Sequence, residues 1–291
     1  MVICPNCNTL YPVEQAYCEI CGFTPATFDG FEAWAPAFCK EANGQFFNPE
    51  SFDELADLEE DHFWFRARND LILWAISKYC GEPISFAEIG CGTGFVLSAI
   101  ARYFPNTALM GTEAFTEGLK FANKRVPRAK FVQLDARHIP YRDEFDVIGI
   151  FDVLEHIKED EMVLSEIHSA LLPGGSLLLT VPQHQWLWSQ TDAAACHVRR
   201  YAKDELHGKV RAAGFQIVRS TSFVSLLLPL MMLSRLTGKN KPKDLLAEYR
   251  IQPWLNRLLE RILAVERRFI QAGLTFPSGG SRLVVAKKRV I

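Results

Sequence analysis

The stretch FAEIGCGTGF, residues 86–95, ends an apolar run with three glycines at alternate positions. Glycine lets a backbone approach a ligand closely, so a turn of this composition after a strand predicts the binding of a nucleotide-like ligand. The spacing does not fit a dinucleotide site, because Phe95 stands where G-x-G-x-x-G has its third glycine. A phosphate-binding P-loop is excluded as well, since no Gly-Lys-Ser/Thr ending follows.

Short apolar runs alternate with helical stretches from residue 84 onward, which predicts parallel strands joined by crossover helices. The runs are ISFAEI, ALMGTE, KFVQLD, FDVIGIF, SLLLTV, FQIVRSTSF and RLVVAKK. The predicted fold class is α/β, with a Rossmann-like, mostly parallel seven-stranded sheet and helices on both faces. A small N-terminal zinc ribbon and a C-terminal helical insertion, about residues 225–275, complete it. A helix is also predicted from about Phe65 to Tyr79.

Four landmarks in register over residues 84–182 resemble the class I S-adenosylmethionine-dependent methyltransferases. They are the acid and glycines of residues 88–94, the strand-end acids Glu113 and Asp135, the triplet Leu154-Glu155-His156, and the turn Pro173-Gly174-Gly175. The segments HFWFRARN, QHQWLWSQTD and HVRRY are similar to an uncharacterised branch related to the ubiquinone-type methyltransferases. This resemblance implies an enzyme that uses S-adenosyl-L-methionine, which has no phosphate and therefore needs no lysine in the turn.

The resemblance also implies which residues bind the cofactor. In that family the acid after the second strand, here Glu113, accepts the ribose hydroxyls, and the acid after the third, here Asp135, bonds the adenine amino group. The full set of cofactor-binding residues expected is Glu88, Gly90, Cys91, Gly92, Gly94, Glu113, Asp135, Ala136 and Phe151. Trp64 and Arg66 are expected to cover the cofactor, with Arg66 meeting its methionine carboxylate.

Histidines after the fourth and fifth runs are the candidate catalytic residues, because imidazole titrates near neutrality and a hydroxyl acceptor must lose a proton. His156 is the first candidate and His197 the second, while His184 shares their edge of the sheet. For any single one of them, a surface or hydrogen-bonded structural role is the more common alternative. Arg199 and Arg200 are candidates for holding an anionic acceptor, or form a solvated flank of the helix predicted at 203–213.

Two Cys-x-x-Cys pairs open the chain, at Cys4, Cys7, Cys18 and Cys21. Four thiolates so placed predict one tetrahedral zinc site, with iron as the alternative ion. Two disulfides would need an oxidising compartment, and no secretory leader is recognised, so a cytoplasmic protein is expected. Residues 1–30 carry no Lys or Arg, which disfavours nucleic acid as a partner. A structural cap or a protein-docking role for the ribbon fits better.

The predicted division is a zinc ribbon at 1–26, a linker at 27–49 and a methyltransferase domain at 50–291. Residues 1–65 hold twelve acidic residues and one basic, whereas residues 235–291 hold thirteen basic and four acidic. FVSLLLPLMML, followed by basic residues, indicates either peripheral contact with a membrane or a plainer role as a helical cover over the sheet or a dimer face. On the helix after it, Leu255, Leu258, Leu259, Ile262, Val265 and Phe269 are expected to form one apolar face.

The function predicted is methyl transfer from S-adenosyl-L-methionine, with O-methylation of a small-molecule or lipid-linked acceptor. The alternative is an inactive methyltransferase-fold scaffold that docks partners through its ribbon. The complete set of glycines and acids favours the enzyme, because a scaffold has no use for it. A nucleic-acid methyltransferase is disfavoured, since FDVLEH stands where an Asn/Asp-Pro-Pro-Tyr/Phe signature would follow the fourth strand.

Overall fold

The computed structural model describes residues 1–41, 51–237 and 251–290. Its strands are β1 (Val2–Ile3), β2 (Leu10–Tyr11), β3 (Ala26–Phe28), β4 (Phe31–Ala33), β5 (Ser85–Ile89), β6 (Ala108–Glu113), β7 (Lys130–Gln133), β8 (Phe145–Phe151), β9 (Leu171–Pro182), β10 (Phe215–Phe223) and β11 (Ser281–Lys288). Its α-helices are α1 (Pro36–Glu41), α2 (Ser51–Glu59), α3 (Phe63–Tyr79), α4 (Phe95–Tyr103), α5 (Thr116–Arg125), α6 (Asp160–Ala170), α7 (Gln190–Ala194), α8 (Lys203–Ala212), α9 (Leu228–Thr237) and α10 (Pro253–Gln271).

The main sheet has the strand order β10-β11-β9-β8-β5-β6-β7-β4-β3. The pairs from β9 through β8, β5, β6 and β7 to β4 are parallel, and β11 runs antiparallel to both of its neighbours. Strand order reverses beside β5, which puts the turn after β5 at the switch point where open α/β sheets bind ligands. The predicted α/β class and the mostly parallel sheet are confirmed. The seven predicted strands are β5 to β11, and β3 and β4 bring the sheet to nine strands.

Side chains alternate along each central strand between two apolar layers, as a sheet covered on both faces requires. On β5, Phe86 joins the layer that also contains α3, α4 and α5, while Ala87 joins the layer that contains α6 and α8. Both residues are fully buried. The layers hold the central strands rigidly and leave their carboxyl ends to form a site.

Residues 26–33, where the sequence analysis places the start of a linker, form two further strands of the main sheet. A turn at Asp29 and Gly30, both with positive φ, folds β3 back on β4. Strand β4 then pairs with β7 in parallel, and the Gln133 side chain accepts a hydrogen bond from the Ala35 N–H at 3.1 Å. The aromatic composition of 23–38 therefore serves packing at a sheet edge. Residues 42–50 of the expected linker lie outside the described residues.

The N-terminal cysteine unit, residues 1–26, packs directly on the sheet. Val2 pairs with Tyr141 as an antiparallel bridge, and the Ile3 N–H donates to the Pro140 carbonyl at 2.8 Å. The Met1 ammonium lies 2.7 Å from the Glu144 carboxylate. Cys4 and Cys18 are fully buried in the same apolar cluster as Tyr141. The unit is thus continuous with the core of the larger domain.

Helix α10 is rotated relative to the apolar face that the sequence predicts. Its buried side chains include Glu266, whose carboxylate accepts hydrogen bonds from the Ser225 and Leu226 N–H groups, each at 2.7 Å. Binding these two donors turns Glu266 inward. Three residues of the expected face are exposed as a result, namely Leu258, Val265 and Phe269. None of the helices in the described ranges is both long and apolar enough to cross a bilayer.

Candidate functional site

A cavity of about 1370 Å³ opens at the carboxyl ends of β5, β6 and β8. This exceeds the ~300–1,000 Å³ that encloses a drug-sized ligand, so the space suits a cofactor together with an acceptor. Eight of the nine expected cofactor-binding residues line it, and so do both candidate catalytic histidines. The eight are Glu88, Gly90, Cys91, Gly92, Glu113, Asp135, Ala136 and Phe151.

The glycine turn between β5 and α4 needs its glycines for space as well as for backbone conformation. Gly90 has φ +70°, and a Cβ built there would lie 2.5 Å from the Val153 side chain. Gly94 has φ +75°, and its Cβ would lie 2.8 Å from the Ala122 Cα. Gly94, which does not line the cavity, therefore allows α4 and α5 to pack closely. Gly92 has only Phe52 nearby and faces the open space.

Glu113 ends β6 beside the turn and binds it. Its carboxylate accepts hydrogen bonds from the backbone N–H groups of Gly92 at 3.1 Å, Ala114 at 2.7 Å and Phe115 at 3.3 Å. Burial raises the pKa of Glu113, and these three bonds oppose the rise. A carboxylate accepts about four hydrogen bonds, so the side chain keeps acceptor capacity for a ligand hydroxyl.

Asp135 lies just after β7 and lines the cavity. Burial alone would raise its pKa, but the Arg137 guanidinium, whose Nε lies 3.0 and 2.9 Å from the two carboxylate oxygens, holds the pKa below its ordinary value. Asp135 is therefore ionised and fixed in place. Arg137 also lines the cavity, which the sequence analysis did not anticipate.

Arg68 on α3 is a cavity residue that the sequence analysis missed, because it chose Arg66 two positions earlier. Arg68 pairs with Asp152 at 2.5 Å and stacks on Trp64, with 4.6 Å from guanidinium carbon to ring centre. Arg66 instead pairs with Glu260 on α10, at 2.7 Å, and does not line the cavity. Asp152 has φ +55°, a strained conformation for a non-glycine residue that often marks functional sites.

Glu88, the last residue but one of β5, lies at the floor of the cavity and is 2% exposed. Burial raises its pKa to about 8, although the positive charge of Arg68 opposes the shift. Its Oε2 atom has no hydrogen-bond partner within the described ranges. The floor therefore offers a polar group to whatever fills the cavity.

His156 and His197 come together on the far side of the cavity, with ring centres 4.7 Å apart. The His197 Nδ1 lies 2.9 Å from the Asp192 carboxylate. The Arg200 Nε donates a hydrogen bond to the same carboxylate at 2.7 Å. Burial, with a smaller electrostatic contribution from neighbouring His197, lowers the pKa of His156 to about 3, so His156 is neutral. His184 does not line the cavity.

Asp192 is a second residue that sequence reasoning missed. Burial alone would raise its pKa, but the hydrogen bonds from His197 and Arg200 outweigh burial and hold the pKa well below its ordinary value. Arg200 is therefore occupied by Asp192, and Arg199 pairs with Asp160. The spacing Asp-x4-His-x2-Arg within 192–200 was the available signal, since a loop can bring such groups together.

The four N-terminal cysteines converge as a tetrahedral ion requires. The Cys4 and Cys21 sulfurs lie 3.4 Å apart, those of Cys7 and Cys18 lie 3.6 Å apart, and all four lie within 4.8 Å of one another. Zinc–sulfur bonds of about 2.3 Å place tetrahedral ligands about 3.8 Å apart. The donor set therefore fits a zinc ion, or iron, bound by four thiolates.

Residues 87–179 match a family described as "Methyltransferase domain". A probable S-adenosylmethionine-dependent methyltransferase of Mycolicibacterium smegmatis is 28% identical over 56% of this chain and 63% of its own length. A fatty-acid O-methyltransferase of the same organism is 31% identical over 32% of this chain and 35% of its own. The chain thus spans less than two thirds of either relative.

Among solved structures, the [4+2]-cyclase SpnF superposes with a TM-score of 0.53 over 78% of this chain and 84% of its own. At 20% identity this likeness concerns the fold alone. The strand order, the glycine turn with its acids, and the family match agree with one another. Residues 87–179 are therefore similar to the methyltransferase domains of that family.

Proposed function

We propose that the protein transfers a methyl group from S-adenosyl-L-methionine to an oxygen atom of a small-molecule or lipid-linked acceptor. The observation that carries this proposal is the glycine turn bound to Glu113, at the mouth of a cavity large enough for cofactor and acceptor. An acid with acceptor capacity left over and a glycine backbone without side chains suit a ribose and a methionine, with no phosphate to neutralise.

Several residues of the cavity have a role in this proposal. Glu113 accepts the ribose hydroxyls, and Asp135, ionised and fixed by Arg137, accepts the adenine amino group. The glycines allow the protein backbone to approach the cofactor closely. Cys91, Ala136 and Phe151 pack on the cofactor's rings. Arg68, next to Glu88 and Asp152, meets the methionine carboxylate.

The reaction is a single displacement. The acceptor oxygen forms a bond to the methyl carbon while the carbon–sulfur bond breaks, and the bonding pair stays on sulfur to leave S-adenosylhomocysteine. Alignment and exclusion of water supply most of the acceleration. The acceptor proton must also leave, and His156 and His197 lie on the side from which an acceptor enters.

Exposed apolar side chains support two further parts of the proposal. On α9 and α10, Leu233 is 57% exposed and Trp254 is 66% exposed, which suits contact with an apolar acceptor or a membrane surface. On the ribbon, Tyr17 is 52% exposed and Ile20 is 73% exposed. These two side chains, with the acidic charge around them, suit a protein partner better than nucleic acid.

Calorimetric titration with S-adenosylhomocysteine tests the proposed function. We expect micromolar binding by the wild-type protein and at least tenfold weaker binding by Glu113→Ala. Glu117→Ala is the matched control, because Glu117 lies four residues along the chain and is exposed. Failure of the folded, zinc-loaded protein to bind would instead support a methyltransferase-fold scaffold that acts through its ribbon.

A further inference from the structure

Glu155, His156 and His197 meet at one point of the cavity wall, on the acceptor side. Each offers a ligand atom, and the three atoms lie within 4.8 Å of one another. The first two lie in a 3-10 turn just after β8, and the third lies in the loop after α7. The Val198 N–H donates to the Glu155 carbonyl at 2.7 Å, which holds the two segments together.

Glu155 is the member of this group that most needs a cation. It is 1% exposed, and its Oε2 atom lacks a hydrogen-bond partner among the described residues. A buried carboxylate with an oxygen that has no partner is costly unless it takes up a proton or binds a cation. The nearby arginines do not serve, because Arg68 pairs with Asp152 and Arg200 pairs with Asp192.

The two imidazoles are held as metal-binding histidines usually are. A histidine ligand almost always donates its second ring N–H to a carboxylate or a backbone carbonyl. His197 has its Nδ1 at Asp192, 2.9 Å away, which leaves Nε2 as the atom able to bind an ion. His156 has a backbone hydrogen bond with Ala195. Both rings are therefore oriented by oxygen atoms behind them.

We propose that Glu155, His156 and His197 bind one divalent first-row transition-metal ion beside the cofactor cavity. Two imidazoles and one carboxylate are a donor set for such ions, and three protein ligands leave positions open. Ligands of an ion with bonds of about 2.1 Å lie about 3.4 Å apart, so the three side chains close on it by movements on the order of 1 Å.

The open position takes the acceptor's hydroxyl oxygen, a step that rests on the proposed methyl transfer. A bound divalent ion lowers the pKa of a hydroxyl that coordinates it. The acceptor then gives its proton to solvent on binding, and the anionic oxygen attacks the methyl carbon as the bonding pair of the carbon–sulfur bond passes to sulfur. The two histidines hold the ion, and neither has to act as a base. This favours hydroxyl-bearing acceptors.

Cobalt(II) distinguishes this site from the ribbon, because only the four-cysteine site gives thiolate-to-cobalt charge-transfer absorption. Metal-free protein is loaded with Co²⁺, dialysed, and measured for cobalt per chain by elemental mass spectrometry. We expect two equivalents for the wild type, one of which carries the thiolate absorption. His197→Ala should retain that one and lose the other. His184→Ala, which removes an imidazole outside the cavity, should retain both.

Glu155→Gln keeps the size of the side chain and removes its charge, so it tests the same ion if His197→Ala fails to fold. It should lower cobalt affinity at the second site at least tenfold with thiolate absorption unchanged. One equivalent in the wild type, or two in either variant at unchanged affinity, would overturn the metal site.

Titration of the same samples with S-adenosylhomocysteine separates the two proposals. If the wild type binds S-adenosylhomocysteine but only one equivalent of cobalt, the proposed metal site is wrong and the proposed methyl transfer stands. Two equivalents without cofactor binding would leave the metal site and overturn the transfer.

Discussion

Glu88 shows how a single buried acid makes stability depend on pH. Its pKa is raised to about 8 from an ordinary 4.5. Between these values the folded chain keeps a proton that the unfolded chain has lost. Stability is therefore complete below about pH 4.5 and falls as pH rises toward about 8, by at most about 1.4 kcal/mol per pH unit.

We expect Glu88→Gln to remove this fall, because the amide stays neutral at every pH. Urea unfolding without cofactor at pH 5, 6.5 and 8 measures it, with Glu117→Gln, at an exposed site, as the control. Parallel pH profiles for the wild type and Glu88→Gln would contradict the assignment.

The sequence predicted the glycine turn itself, but it did not show why each glycine is needed. Gly90 and Gly92 line the cavity as expected, but Gly94 is required by the approach of the Ala122 backbone on α5. Asp192 was missed for a similar reason. The spacing Asp-x4-His-x2-Arg was its only signal in the sequence, and its importance comes from the contacts with His197 and Arg200 that the folded loop creates.

At the scale of one element, α3 places two arginines that are two residues apart on different surfaces, since consecutive helical positions are about 100° apart. Arg68 enters the cavity, and Arg66 pairs with α10. We expect Arg68→Ala to weaken S-adenosylhomocysteine binding about 10- to 100-fold, the value of a charge-assisted hydrogen bond. Arg66→Ala should stay within about twofold, as an exposed ion pair contributes little.

Isothermal titration of both variants measures the difference. If both variants bind S-adenosylhomocysteine equally weakly, or if only Arg66→Ala binds it more weakly, then Arg66 contacts the methionine carboxylate. The sequence pattern HFWFRARN could not choose between them, because the choice depends on where α10 lies. Helix α10 contacts α3 through residues that are nearly two hundred positions apart in the sequence, such as Arg66 and Glu260.

At the scale of the whole molecule, the N-terminal cysteine unit and the sheet share one apolar cluster, in which Val2, Cys18 and Tyr141 are all buried. We therefore expect Cys18→Ser to lower the unfolding midpoint of the entire chain and abolish the bound zinc. One kcal/mol corresponds to about 2–4 °C in a chain of this size. Scanning calorimetry with zinc analysis measures both effects.

Cys80→Ser serves as the control, since Cys80 is half-buried and lies outside the ribbon. A separate early transition, with the main one unmoved, would show that the ribbon folds independently. The basic residues Lys239, Lys241 and Lys243, which the sequence analysis associates with a membrane surface, lie outside the described residues.

The sequence by itself determined the strand–helix alternation, the glycine turn, the strand-end acids and the four-cysteine motif. All of these are local patterns, because periodicity, turn chemistry and ligand spacing act over a few residues. Tertiary structure alone decided that β3 and β4 extend the sheet, that Arg68 reaches the cavity, and that Glu155, His156 and His197 share one point. These depend on contacts between distant segments, whose geometry is set by burial of the core rather than by neighbours along the chain.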